Sequence, residues 1–118
     1  MEYSADETIV PHDDVKCCVV MPDGHLKPVT ACWCKLYHIF GDVDQEDTET
    51  DNIENNEEIF CMHLSDDCLR TKFAGKGRIP NMVLKRILSK EIYGPGILFQ
   101  KGKPVSEEDA RKILEFRN

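Results

Sequence analysis

The strongest constraint on the fold is an apolar run that ends in a tight-turn sequence. Residues 15–21 are almost wholly apolar and rich in valine and cysteine, which is typical of a buried strand. Pro22-Asp23-Gly24 follows directly. Proline presets the backbone of the first turn residue, and glycine accepts the positive φ that such a turn requires. The order of these residues predicts a β-hairpin.

The return strand of this hairpin falls in a segment with two interpretations. Residues 29–40 are rich in the β-branched and aromatic side chains that favour strands. The same segment also places apolar side chains on one helical stripe, among them Val29, Trp33 and Phe40. We expect a strand, because the preceding turn sets one up. Residues 59–64 and 97–99 predict further strands.

The second half of the chain predicts three helices. Ser65 can cap a helix whose first turn is acidic, which suits the positive end of the helix dipole. A second helix opens at Pro80 or Asn81, and Gly-Pro-Gly at residues 94–96 breaks it. Ser106 opens the last helix in the manner of a capping box.

Together these elements predict an α+β fold. A chain of 118 residues fits one domain, which we place at residues 15–118. A small, mostly antiparallel sheet from the N-terminal half packs with about three helices from the C-terminal half. Residues 1–14 predict a flexible acidic tail. Residues 41–58 are dominated by acids and predict a mobile acidic loop, in which only Val43 and Ile53 are apolar.

The net charge of −7 conceals a division along the chain. Residues 1–68 hold 17 acidic and three basic side chains, whereas residues 69–118 hold 12 basic and five acidic ones. This asymmetry indicates either a basic face for an acidic partner or an acidic segment that screens such a face.

The basic side chains cluster between residues 70 and 90. The cluster consists of Arg70, Lys72, Lys76, Arg78, Lys85, Arg86 and Lys90. A basic helix-loop-helix surface of this kind can follow phosphates, so we predict a non-enzymatic regulatory domain that binds nucleic acid, specifically DNA. In the alternative hypothesis the chain is a protein-interaction adaptor that uses its acidic loop or an exposed strand edge. The lysines could also simply be solvated, or be met by the acidic loop.

Zinc is the one candidate cofactor. On a strand, Cys32, Cys34 and His38 share one face, and Cys61 and His63 share a face of the next predicted strand. If the acidic loop brought these two strands side by side, the thiols and imidazoles could surround a tetrahedral zinc ion. The alternative is that the cysteines fill the core as small apolar residues.

The sequence contains no motif that marks an activated nucleophile, so we expect no enzyme. It also has no apolar run of the roughly 20 residues that a membrane-spanning helix needs. The acidic residues 1–7 do not resemble a secretory signal. We therefore expect an intracellular protein, nuclear or cytoplasmic, with reduced thiols and no membrane partner.

Overall fold

The part of the chain that the structure describes forms one five-stranded sheet with helices on its faces. The computed structural model describes residues 14–53, 56–73, 79–100 and 104–116. The strands are β1 (Asp14–Val20), β2 (Leu26–Cys32), β3 (Thr48–Ile53), β4 (Asn56–Leu64) and β5 (Gly96–Gln100). The α-helices are α1 (Asp66–Thr71), α2 (Met82–Leu88) and α3 (Glu107–Phe116), and 3-10 helices span Trp33–Phe40 and Gln45–Asp47. The predicted α+β class is confirmed.

The sheet is antiparallel throughout, with the strand order β2-β1-β5-β4-β3. Two hairpins, β1–β2 and β3–β4, are joined by β5, which lies between them. Val19 of β1 pairs with Ile97 of β5, and Cys61 of β4 pairs with Leu98. The last strand in the sequence is therefore the central strand of the sheet, which explains why four of its five residues are buried.

The first hairpin forms as the sequence predicts. The Gly24 N–H donates to the Met21 carbonyl, and the Met21 N–H donates to the His25 carbonyl, both at 2.8 Å. Gly24 has a φ of 91°, the left-handed conformation that glycine adopts without strain. The predicted return strand is only partly correct, because β2 ends at Cys32 and a 3-10 helix follows.

The 3-10 helix Trp33–Phe40 covers the apolar side chains on one face of the sheet. Leu36 is buried together with Val19, Ile97 and Phe99 on this face. The helical stripe noted in the sequence therefore prevails from Trp33 onward. Its backbone is kinked at Lys35, which has a φ of −121° and a ψ of 15°.

The opposite face of the sheet packs against α2 and α3. Cys61 and Leu98 contribute from the strands, and Leu84 and Leu114 contribute from the two helices. Gly96 sets the closeness of this packing. A Cβ at Gly96 would overlap the Leu84 Cδ1 atom and would lie 3.0 Å from the Cys61 Sγ atom.

The predicted tail, residues 1–14, lies outside the described residues except for Asp14, which begins β1. None of the helices in the described residues has the length and apolar character needed to cross a bilayer.

The predicted caps at Ser65 and Ser106 are present, and Asn81, one of the two residues predicted to open the second helix, caps α2 from a buried position. The Asn81 Oδ1 atom accepts from the Leu84 N–H at 3.1 Å and so begins α2. Its Nδ2 donates to the carbonyls of Val20 at 3.1 Å and Gly94 at 2.9 Å. The Asn81 N–H donates to the Ile92 carbonyl at 2.8 Å. This side chain, which is 0% exposed, joins α2, the end of β1 and the entry to β5.

We expect Asn81→Ala to lower the free energy of unfolding by about 3–5 kcal/mol, because it leaves two buried carbonyls and one helix N–H without their partner. Ser106→Ala is the matched control, since the Ser106 hydroxyl caps α3 by accepting from the Asp109 N–H at the surface. It should cost about 1 kcal/mol. Equal losses in urea denaturation would show that the buried amide has no role beyond capping.

Candidate functional site

The segment 41–58, predicted as a loop, is largely regular structure. Gln45–Asp47 forms a 3-10 helix and Thr48–Ile53 forms β3. The two apolar residues noted in the sequence anchor this segment, since Val43 and Ile53 are each 3% exposed. The prediction of a loop is therefore wrong for residues 45–53 and for residues 56–58, which begin β4, because the pairing of β3 with β4 and burial at both ends outweigh the polar composition.

β3 is an edge of the sheet, and within the described residues it pairs only with β4. Glu49 lies opposite His63, and Asp51 lies opposite Cys61. Side chains two residues apart point to the same face of a strand, so Glu49 and Asp51 lie side by side. We call residues 44–51, which include Asp44, Glu46, Glu49 and Asp51, the acidic edge.

At the start of the acidic edge, Lys72 pairs with Asp47 and lies near a second carboxylate, that of Asp44. The Lys72 Nζ atom lies 2.7 Å from the Asp47 Oδ2 and 3.9 Å from the Asp44 Oδ2. The hydrogen bond from Lys72 lowers the pKa of Asp47, and the same bond raises the pKa of Lys72. Lys72, at the end of α1, thereby ties the helix to the turn before β3.

Along the strand, Lys90 and His63 converge on Asp51. The Lys90 Nζ atom lies 3.2 Å from the Asp51 Oδ2 and 3.8 Å from the Glu49 Oε1. The His63 Nε2 atom lies 2.6 Å from the same Asp51 oxygen, while its Nδ1 lies 3.1 Å from the Leu64 carbonyl. Burial acts to raise the pKa of Asp51, but the hydrogen bonds from His63 and Lys90 outweigh it, so the pKa is lowered.

This cluster also contains metal-ligand side chains. Ligand atoms of Glu49, Asp51 and His63 all lie within 4.8 Å of one another, and these are ligand types that zinc accepts. However, the Lys90 ammonium already contacts both carboxylates, and His63 is bonded to Asp51. The arrangement is an internal ion-pair network, and a metal ion would have to displace Lys90 from it.

The structure brings Cys32 and Cys34 together, but it does not bring all five residues predicted to bind zinc to one place. Cys32 ends β2, Cys34 and His38 lie in the 3-10 helix, and Cys61 and His63 lie in β4. Two strands, β1 and β5, separate β2 from β4. The hairpin that the zinc hypothesis required forms instead between β3 and β4.

The thiols divide into buried and accessible groups. Cys17, Cys18, Cys61 and Cys68 are each at most 1% exposed, whereas Cys32 and Cys34 are half-buried. Burial raises the pKa of Cys17 to about 11 and also raises the pKa of Cys61 and Cys68. A raised pKa keeps a thiol protonated, which is the opposite of what an activated nucleophile needs.

Most of the basic cluster is matched by carboxylates of the same chain. Besides Lys72 and Lys90, Arg70 lies 3.3 Å from Asp67, and Lys85 lies 2.7 Å from Glu91. Lys76 and Arg78 lie outside the described residues.

Among the described members of the basic cluster, Arg86 is the one that makes no ion pair with another described residue. It lines a shallow groove of about 460 Å³ between the β1–β2 turn, α2 and α3. Arg111 also lines this groove, but it lies 2.7 Å from Glu107. Glu107 and Glu115 are part of the lining as well, so the groove is of mixed charge.

Comparisons of the chain with protein-family models, curated proteins and solved structures returned no match.

The ion pairs of Asp47 and Asp51 predict a pH dependence. A carboxyl group whose pKa is lower in the folded state than in the unfolded state stabilises the fold at pH values above its unfolded pKa. This contribution to the free energy of unfolding is lost as the pH falls through the folded pKa. We therefore expect stability to fall as pH drops below about 4. Asp51→Asn should reduce the slope of that fall, measured as urea midpoints across acid pH. Glu108→Gln, which removes an exposed carboxyl on α3, is the control and should leave the slope unchanged if the ion pairs cause it.

Proposed function

We propose that this chain is a protein-interaction module that binds a basic, extended segment of a partner protein along the acidic edge. The observation that carries the proposal is the position of β3 at the border of the sheet, with acidic side chains along it. A peptide in extended conformation can add to such an edge as a further strand, because main-chain hydrogen bonds supply affinity for any sequence.

The two edges of the sheet differ in how well they accept a strand. β2 carries Lys27 and Pro28, both exposed. Proline lacks an N–H and lysine resists burial, so these residues protect an edge against pairing. β3 contains neither residue type. The backbone of β3 is therefore the more receptive of the two edges.

The charge of the acidic edge determines which partner fits. Residues 41–58 hold nine acidic and no basic side chains. Two copies of such an edge repel each other, which disfavours self-association through β3. A lysine- or arginine-rich segment would instead be attracted, and the attraction would speed its encounter with the edge.

The lysines that pair with the acidic edge can be replaced there by cationic side chains of a partner. The side chains of Lys72 and Lys90 are 41% and 42% exposed, and ion pairs between exposed side chains contribute little to stability. A partner cation can therefore replace either lysine at small cost. Glu46 is exposed, makes no ion pair in the described residues, and adds a site for a partner cation.

The nucleic-acid hypothesis stays a prediction. The ion pairs at Arg70, Lys72, Lys85 and Lys90 reduce the positive potential that phosphate binding needs. Arg86 is exposed and makes no ion pair with a described residue, so it is available to a phosphate. Duplex DNA therefore belongs in the same binding experiment as the peptides.

We expect fluorescence anisotropy to detect binding of a labelled peptide that alternates lysine with valine. An acidic peptide of the same pattern should not bind, and a central proline in the basic peptide should abolish binding by blocking strand addition. Random duplex DNA should bind no more tightly than the acidic peptide. If DNA bound more tightly than the basic peptide, and if its binding weakened steeply as the salt concentration rose, the nucleic-acid hypothesis would be favoured.

Charge variants locate the binding surface. Glu46→Lys combined with Glu49→Gln should weaken the basic peptide about fivefold, since cross-strand charge pairs contribute up to about 1 kcal/mol. Glu108→Lys combined with Glu115→Gln on α3 gives the same change of net charge and is the control. It should leave the affinity within about twofold, because α3 packs beside β2 at the other border of the sheet. If this control weakens binding as much as the edge variant, the attraction is diffuse and β3 is not the site.

A further inference from the structure

Cys32 and Cys34 place two sulfur atoms next to each other at one junction of the fold. Cys32 is the last residue of β2, and Cys34 lies in the first turn of the 3-10 helix. Their Sγ atoms are 3.2 Å apart, and neither is in a disulfide. Both side chains are half-buried, so a small molecule can reach them.

We propose that Cys32 and Cys34 form a reversible thiol–disulfide site that exchanges with low-molecular-weight disulfides. The proposal is independent of the partner-binding edge, since β2 lies at the opposite border of the sheet from β3.

The backbone permits the bond. Two residues apart, the Cα atoms are separated by at most about 7 Å, and disulfides span about 4.4–6.8 Å. From 3.2 Å, the sulfur atoms need to approach by only about 1 Å to reach bonding distance. The non-helical backbone of Lys35, next in the chain, shows that this turn is already irregular.

The surroundings favour a disulfide over a metal ion. In the described residues, one group of three or more metal-ligand side chains converges, and it consists of Glu49, Asp51 and His63. Cys32 and Cys34 therefore have no third ligand from the described part of the chain for a tetrahedral site. The other four thiols are too deeply buried to compete for an external disulfide.

The thiol–disulfide exchange proceeds in two steps, in which atoms and electrons balance. The Cys32 thiolate attacks one sulfur of the external disulfide, whose S–S bond breaks, and the first small thiol leaves with a proton from solvent. Cys34 then loses its proton to solvent and attacks the Cys32 sulfur, which releases the second small thiol. Two protein thiols become one disulfide, and the external disulfide is reduced to two thiols.

The hydrogen bond between the two sulfur atoms holds them in contact, and either sulfur can be its donor. This bond raises the pKa of Cys34, with a further contribution from burial. Closure forms a small ring, and strained or exposed disulfides are the readily reduced ones. The site is therefore suited to repeated oxidation and reduction.

The test is intact mass spectrometry of the folded chain after incubation with glutathione disulfide. Wild type should lose two hydrogen masses, carry no glutathione, and yield a cross-link between Cys32 and Cys34 on digestion. Reduced glutathione in excess should restore the starting mass. Cys34→Ser should instead retain one glutathione on Cys32, because the second step is blocked, and Cys32→Ser, which lacks the thiol that attacks first, should form no cross-link.

Cys68→Ser is the control and should behave as wild type, since Cys68 is buried in another cluster. Circular dichroism of each variant verifies that it is folded. Two results would overturn the proposal: wild type that keeps its full complement of thiols or accumulates a stable glutathione adduct, or a cross-link that maps to any other pair.

Discussion

The buried amide of Asn81 is the contact on which the remaining architecture depends. It bonds simultaneously to the first turn of α2, the last residue of β1 and the residue that precedes β5 by two positions. A buried polar side chain is costly unless its hydrogen bonds are satisfied, and here they can be satisfied only when all three segments are in place. The same contact brings Leu84 over Gly96 and so fixes how closely the helical layer approaches the sheet.

Electrostatics organises the surface in a similar way. The cationic side chains that follow β4 turn back onto the carboxylates that precede it, with Lys72 on Asp47 and Lys90 on Asp51. The division of charge along the sequence is thereby converted into neighbouring opposite charges in space. The carboxylates of the acidic edge outnumber the two lysines that pair with them, so the surface along β3 keeps a net negative charge. This charged border distinguishes the molecule more than the face covered by helices does.

Local signals in the sequence predicted the local parts of the structure. The apolar run at 15–21, the Pro22-Asp23-Gly24 turn, the cap at Ser65 and the start of the second helix each depend on residues a few positions apart. β3 was missed because its support is distant: its pairing with β4 and its contacts to Lys90 cannot be seen in an acidic stretch. The proposed zinc ligands were misplaced for the same reason, since strand order is set by β5, far along the chain. The sequence shows that Cys32 and Cys34 are two residues apart. The contact between their sulfur atoms could not be predicted, because it depends on β2 ending at Cys32.

The central position of β5 has a consequence for how the molecule reaches its native state. Each outer hairpin can form from residues close in sequence, but neither can join the other until the chain has been made as far as Gln100. Pairings between such distant segments close large loops, and topologies rich in them fold slowly. During synthesis, the inner borders of β1 and β4 therefore remain uncovered until late. In that interval the nascent chain is most vulnerable to aggregation, and chaperones would matter most.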